Sequence, residues 1–163
     1  MLDSTAFYAG IPFQGEGKYF TTYQVLDEVR GRGGVGAQLI HSRVQVTEPS
    51  KESMQQVKEA SSRTGDQKSL SEADTSILAV TLDLVKSRRD EQVVLVTDDF
   101  AVRNVAEMIG INLSETSLRG GEWKRITWIT YCKGCGKQYL DNKVRSVCEV
   151  CGTKLSRKPG ASN

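Results

Sequence analysis

Apolar residues follow two rhythms along this chain. At Val93-Val94-Leu95-Val96, four consecutive apolar and mostly β-branched residues stand between the polar Ser87-Arg88-Arg89-Asp90-Glu91 and Thr97-Asp98-Asp99. A short run bounded in this way predicts a buried strand over 93–97 whose carboxyl end delivers two acids. The second rhythm is helical. Ile77, Leu78, Leu82 and Val85 predict a helix capped by Ser71 and running to about Lys86, with one buried face. Val25, Leu26 and Val29 mark another, expected to start at Thr21 because Thr21-x-x-Gln24 has the form of a capping box. A polar helix follows Ser50 through about Ser62 and is closed by Arg63-Thr64-Gly65-Asp66, and one more spans Phe100 to Ile109, stopped by Gly110. Short strands are expected at 44–46 and 111–113. The stretch Met1 to Phe7 opens with a strand ending at Asp3, and 10–17 is loop. Strands alternating with helices predict an α/β fold, a parallel sheet with helices on both faces, whose site lies at the carboxyl ends of the strands.

Composition and charge add a division of the chain. The 163 residues, 38% hydrophobic and 26% charged, suit one ordinary globular domain and a small appendage. No apolar run approaches the ~18 to 20 residues that cross a bilayer, and the first fifteen residues carry neither a basic start nor a cleavable apolar core. The expectation is a cytoplasmic protein with no membrane partner. The net charge of +2 conceals opposite halves. Residues 1–117 hold 12 Lys and Arg against 17 Asp and Glu, a net −5, whereas residues 118–163 hold 10 against 3, a net +7. An acidic body with a basic tail predicts a polyanionic partner.

All four cysteines lie in that tail, as Cys132-x-x-Cys135 and Cys148-x-x-Cys151, twelve residues apart and each pair followed by Gly. In a chain read as cytoplasmic such pairs point to metal ligands rather than disulfides. Two tight turns with amides aimed at sulfur, closing a four-thiolate tetrahedron without an open position, predict one structural Zn²⁺ rather than a catalytic ion or an iron–sulfur centre. Metal binding is then expected to supply most of the folding energy of so short a segment. Lys133, Lys137, Lys143, Arg145, Lys154, Arg157 and Lys158 surround the cysteines and can meet RNA phosphates irrespective of sequence. Trp123 and Trp128 are expected to pack the strand that joins the two modules, while Tyr131 and Tyr139 can either pack or stack exposed RNA bases. Arg30 and Arg32, in the Gly-rich run Arg30-Gly31-Arg32-Gly33-Gly34-Val35-Gly36, offer further contacts to an RNA backbone. That run contains G-x-G-x-x-G, but it follows a helix rather than a strand, so it is no dinucleotide fingerprint. The single histidine, His41, has no nucleophile signature beside it.

The acids of the body stand at telling places. Asp3 and the pair Asp98-Asp99 fall at strand ends, Glu28 on the second turn of one helix, and Asp74 on the first turn of another. Gathered at one edge of a sheet, such carboxylates repel unless a divalent cation lies between them; Mg²⁺ or Mn²⁺ fits that need and can activate water for in-line attack on a phosphodiester. Each acid also has a structural use. Ser71-x-x-Asp74 is itself a capping box, Asp98 or Asp99 can cap the helix at Phe100, and Glu28 can be a solvated helix charge. Placement alone leaves a metal site and a set of caps as equal alternatives.

Four spaced motifs go further. Leu2-Asp3-Ser4-Thr5-Ala6-Phe7, Thr22-x-x-Val25-x-x-Glu28, Thr64-Gly65-Asp66 with Leu70-Ser71-x-x-Asp74, and Val96-Thr97-Asp98-Asp99-Phe100 with Asn104-Val105-Ala106 together resemble the PIN-domain endoribonucleases, in the right order. The resemblance implies a three-layer α/β/α sandwich with a parallel sheet. It also implies a Mg²⁺- or Mn²⁺-dependent phosphodiesterase site made by Asp3, Glu28, Asp74 and the acid pair, with Asp99 as ligand and Asp98 as an accessory or cap. Members usually carry several apolar residues before the first Asp, whereas here only Met1 and Leu2 precede it, which predicts a short first strand. With its cysteine module the chain resembles the Nin-one-binding endonuclease family in compact archaeal form. That division implies a PIN domain over 1–117, a linker or connecting strand over 118–128, a zinc ribbon over 129–157 and a flexible tail over 158–163. It further implies cleavage of precursor small-subunit rRNA to form its mature 3′ end within pre-ribosomal particles, alongside assembly factors. A toxin-type PIN ribonuclease, which usually lacks a ribbon, and a non-catalytic RNA-binding assembly factor are the competing readings.

Overall fold

The structure, a computed structural model, describes residues 1–9, 17–31, 43–88, 90–114, 128–139 and 145–159. Arg32, His41, Trp123, Lys143, most of the expected linker and the last four residues lie outside them.

The sheet of the body is assembled around one residue. Strand β1 (Tyr19–Thr21) pairs in parallel with β2 (Val44–Val46), and β3 (Val94–Leu95) pairs in parallel with β4 (Asn112–Leu113). Leu2 joins the two halves. Its N–H donates to the Phe20 carbonyl at 2.8 Å, and it forms a parallel bridge to Val96. The flanking amides of Val96 and Asp3 donate to Met1 and Val96 carbonyls at 3.0 and 3.2 Å. The expected short first strand is thus a single bridged residue, and the Thr21 hydroxyl reinforces it by donating to the Leu2 carbonyl at 2.9 Å. Across the sheet the order is β2, β1, Leu2, β3, β4. From Leu2 the chain moves outward to β1 and β2, then returns to β3 on the other side and out to β4. This reversal is a topological switch point, and Asp3 and Thr97-Asp98-Asp99 are the residues that leave the two strands flanking it.

Helices α1 (Ser4–Tyr8), α2 (Tyr23–Gly31), α3 (Lys51–Thr64), α4 (Glu72–Ser87) and α5 (Phe100–Met108) complete the body. Helix α4 is the hub and packs on α2, α3 and α5. Its stretch from Ser76 to Leu82 is buried throughout, which is why its apolar positions crowd beyond a single stripe. It also ties down its neighbour. Ser50, the cap of α3, donates its N–H and hydroxyl to the Asp83 carboxylate at 2.7 and 2.8 Å, and Ser53 adds a bond at 2.6 Å.

Two expectations shift. Helix α2 starts at Tyr23 rather than Thr21, because Thr21 is held in β1 against Val46; Thr22 takes over the cap, accepting from the Val25 N–H at 3.3 Å. Strand β1 itself was not foreseen, being three residues long with no apolar run to mark it. In the 93–97 stretch only Leu95 and Thr97 are fully buried. Val93, Val94 and Val96 instead line a cavity of about 480 Å³ beside Met1, Phe20 and Arg88, near the starts of the strands.

The second module is a three-stranded antiparallel sheet in the order β6, β5, β7, from β5 (Trp128–Cys132), β6 (Gln138–Tyr139) and β7 (Leu155–Pro159). Trp128 and Lys158 both lie within its paired strands. No helix among the described residues is long and apolar enough to cross a membrane.

Candidate active site and metal centre

Asp3 is 1% exposed and fully engaged. One carboxylate oxygen accepts from the Ser4 amide at 2.6 Å; the other accepts from the hydroxyls of Thr5 and Thr97 at 3.1 and 2.7 Å. Burial pushes its carboxyl above the usual range, the Thr97 and Ser4 bonds pull it back, and the charge of Asp74 raises it again. Asp74 is therefore close enough to be felt at Asp3. Thr97 couples a further acid, since its hydroxyl also accepts from the Asp99 amide at 3.1 Å.

Asp74 and Asp99 both act as caps, and each does so with one oxygen. Oδ2 of Asp74 accepts the amide and hydroxyl of Ser71, both at 2.8 Å, while its own N–H donates to Ser71 Oγ at 3.1 Å, a complete capping box. Oδ1 of Asp99 accepts from Ala101 and Val102 amides at 2.7 and 3.1 Å at the start of α5. The second oxygen of each takes no hydrogen bond from a described residue. Capping therefore does not exclude a second use of either acid: the cap immobilises the carboxylate and occupies only one of its oxygens.

The acid pair divides its roles. Asp98 donates its amide to the Thr5 hydroxyl at 3.0 Å, and its charge acts on Arg103. The buried Arg103 guanidinium donates to the carbonyls of Thr97 and Ser114, both at 3.2 Å, tying the ends of β3 and β4 together. Asp99 instead acts on another acid, Asp66.

Sequence reasoning treated Thr64-Gly65-Asp66 as a turn that closes a helix and assigned Asp66 no part in the site. The turn is there, with Gly65 at φ +81° as the cap of α3, a left-handed conformation that favours glycine. Asp66, however, is 2% exposed, and Asn104 Nδ2 lies 3.4 Å from its carboxylate. Burial raises its carboxyl, the Thr64, Asn104 and Arg157 groups lower it, and Asp99 raises it. The usable signal was the motif itself, since Thr64-Gly65-Asp66 is among those that carry the family resemblance.

Glu28 is half-buried on α2; the Tyr8 hydroxyl lies 3.3 Å from its carbonyl, and α1, which begins after Asp3, packs on α2. Arg30 is exposed, 3.6 Å from Asp27. Among the described residues the acids do not close to a mutual 4.8 Å as the four cysteines do. An open set of carboxylates, in which Asp74 and Asp99 each keep one oxygen without a described donor, fits a hard divalent cation that keeps several waters.

The cysteine centre is far tighter. Sγ atoms of Cys132 and Cys151 are 3.3 Å apart and those of Cys135 and Cys148 3.6 Å apart. Two knuckles repeat one pattern: Gly136 and Gly152 donate their amides to the Cys132 and Cys148 carbonyls at 3.0 and 2.9 Å, with both glycines in the left-handed region. The Gly134 and Val150 amides donate to the Cys132 and Cys148 sulfurs at 3.3 and 3.4 Å. The Tyr139 hydroxyl, 3.2 Å from Cys148 Sγ, holds that thiol down to about 6, whereas Cys135 is pushed up to about 11 by its neighbouring thiols despite the Lys137 amide. Four sulfurs this close cannot all ionise alone, and a dication in their midst removes the conflict. Around them Lys133, Lys137 and Lys154 are exposed, while Arg145 is bound to Glu149 at 2.6 Å and stacked on Tyr139.

A family model described as the PIN domain of ribonuclease matches residues 1–84. The chain is also 33% identical over 162 residues to Endoribonuclease Nob1 of Pyrococcus abyssi, covering 98% of this chain and 92% of that protein. The chain belongs to the PIN-domain family of the Nob1 endoribonucleases. Endoribonuclease Nob1 of Methanocaldococcus jannaschii is 31% identical over 160 residues, covering 97% of this chain and 76% of that protein. Ribonuclease VapC1 of Thermoplasma acidophilum is 31% identical over 114 residues, 70% of this chain and 54% of that protein. PIN-domain nucleases use divalent metals, and in this PIN domain Asp3 and Asp99 leave the two strands that flank the switch point.

Proposed function

We propose that the chain is a metal-dependent endoribonuclease that cuts precursor small-subunit rRNA to form its mature 3′ end within the pre-ribosomal particle, in the cytoplasm. One observation carries this reading: the likeness to Nob1 endoribonucleases runs over 97–98% of the chain, so it takes in the acid cleft and the ribbon alike. Asp3, Glu28, Asp74 and Asp99 would hold Mg²⁺ or Mn²⁺, and Cys132, Cys135, Cys148 and Cys151 one structural Zn²⁺. When bound, the divalent cation supplies neutralisation of phosphate charge and makes an attacking water easier to ionise. The chain's own residues do the positioning. Thr97 orients Asp3 and the Asp99 amide together, the Ser71 amide fixes Asp74, and the Ala101 and Val102 amides fix Asp99. Lys133, Lys137 and Lys154 on the ribbon attract the RNA backbone irrespective of sequence.

The test is cleavage of an RNA spanning the 3′ junction, by zinc-loaded protein with Mn²⁺. Wild type is expected to cut it and Asp3→Asn to be slower by ~100-fold or more, as loss of a few kcal/mol of charge stabilisation implies. Equal cutting by both proteins would contradict the reading.

A further inference from the structure

Arg157 lies on β7 of the ribbon, yet its guanidinium rests on the body. The position that a Cβ would occupy on Gly65 is 3.4 Å from Arg157 Nη2 and 3.8 Å from its Cζ. The guanidinium thus lies in van der Waals range of the Gly65 turn, and Gly65 is followed at once by the buried Asp66, which feels the charges of both Arg157 and Asp99. The other well-placed arginines are already occupied. Arg88 is paired with Glu91 at 2.9 Å, Arg145 with Glu149 at 2.6 Å, and Arg103 bonds two carbonyls. Arg157 is exposed and, among the described residues, has no carboxylate within 4.0 Å. It is a cation beside the turn that carries the buried Asp66, with its donors still available.

We propose that Arg157 is a phosphate-binding residue of the nuclease site, supplied by the ribbon, which holds the RNA backbone beside the acids that Asp99 and Asp66 bring together. A guanidinium suits this place because its planar fork can take two phosphate oxygens at once, and its charge offsets the repulsion between the phosphate and the carboxylates. The ribbon then has two tasks: its lysines attract RNA, and Arg157 sets the strand over the cleft. The proposal rests on the endoribonuclease reading above.

Arg157→Ala and Arg157→Lys, both zinc-loaded, separate the possibilities in two measurements on junction RNA; zinc content and the unfolding midpoint of the body verify that both variants fold. The first is binding by fluorescence anisotropy over a range of salt, without added Mg²⁺ or Mn²⁺. Arg157→Ala is expected to reduce the salt slope by about one, the loss of one phosphate contact, and Arg157→Lys to keep it. The second is single-turnover cleavage with Mn²⁺ at saturating RNA, where Arg157→Ala is expected to be about tenfold slower and Arg157→Lys intermediate. An unchanged slope overturns the proposal. A reduced slope with an unchanged saturating rate overturns it too, because the contact then belongs to the ribbon's outer face. If wild type leaves the RNA uncut, the functional reading fails, and the slope alone decides whether Arg157 meets a phosphate.

Discussion

The body and the ribbon of this chain are held together by different forces. In the body, one continuous core runs from Leu2 through Val25, Val57, Ile77, Leu78 and Leu95 to Val105, all at most 2% exposed. In the ribbon, the buried cluster is Cys132, Tyr139 and Cys148 with Leu155 packed beside it. Burial can fold the first; it cannot fold the second, where apolar contact is replaced by amide-to-sulfur bonds awaiting a cation. The same contrast holds for the two candidate metal sites. The cysteines are crowded, closed and suited to permanent occupancy, while the acids are spaced and leave oxygens free for an ion that must also admit water and RNA.

The sharpest way to break the comparison is to remove the zinc. Chelation, or Cys148→Ser, should abolish the near-ultraviolet signals of the ribbon tyrosines and leave the cooperative melting of the body in place; loss of both together would show that the modules are not separately stabilised. Leu95→Ala probes the other side. With its side chain wholly buried, it should cost the body about 2–5 kcal/mol in denaturant unfolding and leave zinc content unchanged. Ser71→Ala removes one half of the capping box and should cost about 1 kcal/mol by the same assay.

A smaller effect comes from pH. Burial raises Asp3 and Asp66, so the folded body binds their protons more tightly than the unfolded chain does. From these two groups, stability is greatest below the ordinary carboxylate range and falls as pH rises through their raised values. Thermal melts without divalent metal should show that decline, Asp3→Asn should flatten it, and Mn²⁺ should restore stability on the high-pH side. A decline unaffected by Mn²⁺ would mean that the acids do not hold the ion.

Much of this is legible in the sequence. Strand 44–46, the polar helix after Ser50 and the helix after Ser71 stand where caps and periodicity predict them, because local signals and burial agree there. The misreadings lie where tertiary pairing overrides local chemistry. Thr21 looks like a cap, but its backbone is needed by β2, and the cap slides to Thr22. Leu2 carries the centre of the sheet through a single bridge, which no periodicity can reveal. Placement singled out Asp3, Asp74 and Asp99, and for Asp74 and Asp99 it set capping against binding as alternatives. The structure shows both caps, each made with a single oxygen. Asp66 was read only as part of a turn because a glycine-capped turn gives sufficient local reason for an acid, whereas its contact with Asn104 spans 38 residues.

The central claim is that a capping carboxylate at the switch point is also a metal ligand, and Asp74 tests it most directly. Single-turnover cleavage of junction RNA with Mn²⁺ should be compared for Asp74→Asn and Ser71→Ala, both of which disturb the same cap. The account predicts that Asp74→Asn loses ~100-fold or more in rate, while Ser71→Ala, at a temperature where it is folded, cuts within a few-fold of wild type. Equal rates in the two variants would contradict it and leave Asp74 as a cap alone.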